Sequence, residues 1–98
     1  MRSNSEITVA NFRESAVRSF LFFWYDFELK VKNLNRKEDE NVFQQLRTRY
    51  AEALKTSLQQ TAEKLLINFQ GNKQGLRVCL TEQVSHNISA FMGKVDSL

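Results

Sequence analysis

The chain has 98 residues with 14 lysines and arginines against 11 aspartates and glutamates, a net charge of +3. It has no proline, three glycines and one cysteine, which excludes a disulfide-stapled module and collagen-like or proline-rich repeats. Apolar residues make up 42%, enough to bury a core and too many for a disordered chain, and the small basic excess does not by itself imply a nucleic-acid partner.

The first segment is polar over residues 1–6, without a basic-then-apolar targeting pattern. A stripe then follows at steps of mostly three and four: Phe12, Ala16, Phe20, Phe23, Trp24, Phe27, Val31 and Leu34. That spacing predicts a helix over residues 7–33, started by a capping box at Ser3 and Glu6 or at Asn11 and Glu14. The longest apolar run, residues 20–25, is far short of the roughly 20 residues a membrane span needs, so the expectation is a cytoplasmic protein with no membrane span.

Asn33, Leu34 and Asn35 interrupt the pattern. Asn35 and Glu38 have capping-box spacing, and Glu38, Asp39 and Glu40 place negative charge where free backbone N–H groups of a helix start attract it. The second stripe is Phe43, Leu46, Tyr50, Leu54, Leu58, Ala62, Leu65 and Phe69, and Gly71 with Asn72 reads as its stop. The third is Leu76, Leu80, Val84, Ile88, Phe91, Val95 and Leu98. Residues 76–81 also alternate as a strand would, but a lone strand lacks a partner, so a helix is expected. The whole chain, residues 1–98, reads as a single all-α domain of three long antiparallel helices, a bundle completed by dimerisation.

Six aromatic residues fall within residues 20–27: Phe20, Phe22, Phe23, Trp24, Tyr25 and Phe27. On a helical wheel Phe20, Phe23, Trp24 and Phe27 share the core face. Phe22 and Tyr25 project away and, with Leu21 and Leu29, form a second apolar stripe edged by Arg18 and Lys32. A three-helix bundle leaves one side of each helix wet. Large aromatic residues on that side are expected to join two subunits, because they bury much area at modest entropic cost. Partial exposure beside the neighbouring helices, a pocket for an apolar or planar ligand and insertion into a membrane surface are the competing readings. The membrane reading is weakened by Glu14, Asp26 and Glu28 on the polar side.

Chemistry is sparsely represented. Cys79 and His86 are seven residues apart, which on one helix separates them by about 10.5 Å, beyond hydrogen-bond reach. Cys79 therefore reads as a small buried hydrophobe, and Glu82 and His86 as an ordinary surface pair. One histidine and one cysteine cannot supply a zinc site within a chain, and Gly71 and Gly75 lack the lysine–hydroxyl pair of a phosphate loop. No catalytic residue, metal ligand or cofactor is expected. Lys30, Lys32, Arg36 and Lys37 cluster at the first turn and offer an alternative function, a dimeric nucleic-acid-associated regulator. Glu38, Asp39 and Glu40 sit beside that cluster, and Arg47 and Arg49 diverge on their helix, so a mixed-charge surface is the stronger reading. The function expected is that of a small non-catalytic interaction or regulatory protein. Its partners would be a second copy, as a homodimer or a higher homo-oligomer, or another protein.

Overall fold

The computed structural model describes residues 4–98 as three helices: α1 (Asn4–Val31), α2 (Glu40–Asn68) and α3 (Lys73–Asp96). Consecutive helices run antiparallel, and each packs against both others. Ion pairs mark both ends of the α2–α3 contact. Arg47 donates from Nε and Nη2 to the two Asp96 carboxylate oxygens at 2.9 and 3.1 Å, while Arg77 lies 2.6 Å from Glu63. The hydrogen bonds from Arg47 hold the Asp96 carboxyl below its ordinary range. The Arg77–Glu63 pair is solvent-exposed and Arg47 is only partly covered beside an exposed Asp96, so both pairs fix orientation more than they stabilise.

The core is where the three stripes converge. Phe12, Phe27, Phe91, Leu54, Leu58, Leu76, Leu80 and Val95 are fully enclosed. The Phe27 ring stands at the aromatic centre, with centroids at 6.0 Å from Trp24, 5.9 Å from Phe43, 5.5 Å from Tyr50 and 6.0 Å from Phe91. Three of those contacts are edge-on, the arrangement that ring quadrupoles favour. Each fully buried side chain of this size contributes about 1.5–3 kcal/mol through loss of apolar hydration.

The connections are short, and they correct the expected boundaries. Ser3 lies outside the described residues, and Asn11 is already inside α1, so the Asn11–Glu14 box does not start the helix. At the first turn the Asn35 side chain accepts from the Lys37 N–H at 3.1 Å, and the Asn35 N–H donates to Asp39 Oδ2 at 2.9 Å. Asp39 thus takes the reciprocal place expected of Glu38. The backbone bond from Asp39 N–H to Asn35 O closes a turn of five residues, and the carboxylate at its end is the one that reaches back. The helix α2 begins only after this turn.

At the second connection Gly71 and Asn72 have separate tasks. Phe69, just beyond α2, turns extended and stays buried. Gly71 then takes φ +151°, where a Cβ would come within 2.9 Å of the Phe69 ring. Asn72 does not stop α2. It caps α3, its side chain accepting from the Gly75 N–H at 3.1 Å.

Residues 76–81 are helical, as the three-to-four spacing led us to expect. Two stripe positions are corrected. Leu66 is buried where Leu65 was expected, because it continues the row from Leu58 through Ala62 in steps of four. Leu98 falls after the end of α3 and is exposed.

Candidate interaction surface

The outer side of α1 carries the unburied aromatics. Phe22, Tyr25 and Leu29 are 68%, 62% and 65% exposed, and Leu21 is 40% exposed. Arg18 lies beside them, also exposed, its guanidinium 3.4 Å from the Ser15 hydroxyl. These five residues share the face that the helical wheel assigns them, opposite the buried Phe12, Ala16, Trp24 and Phe27. Val17, exposed on the same helix, extends the apolar area by a turn. Its place four residues before Leu21 already signalled this.

At its C-terminal end this face runs into an open groove of about 540 Å³. Tyr25, Leu29, Val31, Phe43 and Leu98 supply its apolar lining, and Glu28, Lys32 and Arg36 its charged lining. Leu98, expected on the core stripe, helps to form this groove instead. The Arg36 guanidinium is engaged: it lies 3.6 Å from the Phe43 ring centroid and 3.4 Å from the Glu40 carboxylate. Such a groove can receive an apolar side chain, with charges of both signs around it.

The basic turn is divided between two sides of the molecule. Lys32 and Arg36 flank the groove, whereas Lys30 lines a smaller cleft with Asp26, Arg49 and Tyr50 at the α1–α2 contact. Lys37 is exposed in the turn, its backbone N–H bonded to Asn35. The four cations therefore do not form one stripe within the chain.

In that smaller cleft the Tyr50 hydroxyl donates to the Asp26 carboxylate. Burial, reinforced by this carboxylate, pushes the Tyr50 hydroxyl up to about 12. A phenol so tuned stays protonated at neutral pH and acts as a hydrogen-bond donor between helices, not as a base. The sequence reading placed Asp26 on the polar side of α1 and Tyr50 on the α2 core stripe. Their meeting depends on how far the two helices slide against each other, which local spacing does not encode.

Cys79 corrects an expectation. It is exposed, not buried. One residue before Leu80, it is turned about 100° from the buried stripe, and helix geometry prevails over the general preference of cysteine for interiors. His86 is exposed two turns further along the same helix. No group of three or more histidine, cysteine, aspartate or glutamate side chains is placed to hold a metal among the described residues. Among the same residues no helix is long and apolar enough to cross a membrane.

The fold and surface define an all-α three-helix bundle with an aromatic outer face on its first helix. The chain matches no family model, no curated protein and no solved structure.

Proposed function

We propose that this is a small, non-catalytic interaction or regulatory protein that works through the outer face of α1 and self-associates there. The observation that carries this reading is the exposure of Phe22, Tyr25 and Leu29 beside a core already complete without them. A cluster of large apolar side chains on one surface has a cost in water that association removes. The location that goes with this reading is the cytoplasm, where an exposed thiol such as that of Cys79 stays reduced.

Sedimentation equilibrium tests the reading. The native chain is expected to dimerise or assemble further at micromolar concentration, and Phe22→Glu combined with Tyr25→Glu to yield a helical monomer. A native chain that remains monomeric throughout would refute it. The nucleic-acid alternative has less support, since the basic turn is split between two sides and Arg36 is already paired. A salt-titrated binding assay with duplex DNA and with RNA discriminates it: affinity that falls steeply with salt would favour that function.

A further inference from the structure

The outer face of α1 has a charge pattern that selects one way of pairing with itself. Glu14, Arg18, Leu21, Tyr25, Glu28 and Lys32 follow at alternating steps of four and three, the heptad spacing of a coiled-coil seam. All six are exposed. Among the described residues, Glu14, Glu28 and Lys32 take no part in the ion pairs Arg36–Glu40, Arg47–Asp96 and Arg77–Glu63.

The seam is symmetric about Phe23 in position and antisymmetric in charge. Arg18 lies five residues before Phe23 and Glu28 five after; Glu14 lies nine before and Lys32 nine after; Leu21 and Tyr25 lie two on either side. In each case a residue is matched by its charge opposite or by another apolar residue. We propose that two copies of the chain pair α1 against α1 in antiparallel orientation, about a two-fold axis level with Phe23. This rests on the self-association reading above and specifies its partner and register.

In this arrangement Leu21 packs beside the partner's Tyr25, and Tyr25 beside the partner's Leu21. Phe22 flanks the seam within about 3 Å of axial distance from its own copy. Arg18 meets the partner's Glu28, and Glu14 meets the partner's Lys32, which follows α1 directly. The isologous geometry makes every such contact twice. A parallel pair would instead set Arg18 against Arg18 and Glu28 against Glu28. An antiparallel pair displaced by one heptad leaves no opposite charges matched in the seam. The charges thus disfavour the competing alignments, which is how coiled-coil partners specify register.

Charge reversal and distance measurement test the register together. Arg18→Glu and Glu28→Arg should each weaken dimerisation about tenfold, because each sets two like-charge contacts in the dimer. The double variant Arg18→Glu/Glu28→Arg should restore affinity to near the native value. Circular dichroism checks that each variant remains helical. In a Cys79→Ser background, spin labels at Asn11→Cys should lie about 36 Å apart along the axis, against about 10 Å for a parallel pair. A dimer indifferent to both reversals, or labels at the short distance, would overturn the register while leaving self-association standing. A native chain that never dimerises would overturn both.

Discussion

The outer faces of α1 and α2 differ although both helices serve the same core. They are nearly equal in length, 28 and 29 residues, and each sends a continuous stripe inward. Outside, the middle of α2 presents Glu52, Lys55, Thr56, Gln59, Gln60, Glu63 and Lys64, the polar exterior a solvated helix requires. The corresponding stretch of α1 presents Leu21, Phe22, Tyr25 and Leu29. The α2 helix demonstrates that this bundle tolerates a wet polar exterior. The aromatic exterior of α1 is therefore not demanded by the core, and this is the ground on which the proposed association rests.

The comparison predicts opposite outcomes for inward and outward aromatic residues. Phe27→Ala, at the junction of four rings, should destabilise the chain by about 3–5 kcal/mol in chemical denaturation. Phe22→Ala, in a monomeric background, should change stability by no more than about 0.5 kcal/mol. Equal losses would erase the distinction. Next in size, Phe22→Glu/Tyr25→Glu places charge in a desolvated contact at a cost of several kcal/mol, each ~1.4 kcal/mol being tenfold in association. Sedimentation should then report a folded monomer. An unchanged dimer would locate the interface on a different face, and an unfolded chain would make folding inseparable from association.

The turns offer smaller effects. Asn72→Ala removes the α3 cap and should cost about 1 kcal/mol without altering association. High pH tests the buried tyrosine. Tyr50 is raised in the folded state, so folding favours its protonated form. That contribution is fully present below pH ~10, the unfolded value, and is lost as pH rises towards about 12. Tyr50→Phe should flatten the alkaline loss of stability; a curve unchanged by that substitution would assign the loss to other groups. Least of all, Cys79→Ser should alter stability by under about 0.5 kcal/mol, and Cys79 should react readily with thiol reagents at neutral pH.

Helix number, order and inward faces were legible because Phe12 through Phe27, Phe43 through Leu58 and Leu76 through Val95 repeat at the helical period. Residues 22 and 25 could be read as outward for the same reason. The exposure of Cys79 is equally encoded: its neighbour Leu80 defines the inward direction, and position on the helix outweighs the general preference of cysteine for interiors. The boundary at Asp39 was harder, since Glu38 and Asp39 are both acidic and only the closed turn at Asn35 distinguishes them. The Tyr50–Asp26 and Arg47–Asp96 contacts join residues 24 and 49 positions apart, and depend on helix packing that no local window contains.

The elongated outline has a consequence for hydrodynamics. The described chain measures 53 × 21 × 17 Å, with a radius of gyration of 15.8 Å. A compact chain of this length would have a radius of about 12.6 Å. A single copy should tumble slowly and leave a gel-filtration column ahead of globular standards of 11.5 kDa. Side-by-side pairing through α1 thickens the rod far more than it lengthens it, so doubling the mass brings the particle closer to isotropic. Friction per unit mass should therefore fall on dimerisation, and the sedimentation coefficient should rise more steeply than it would for copies joined end to end.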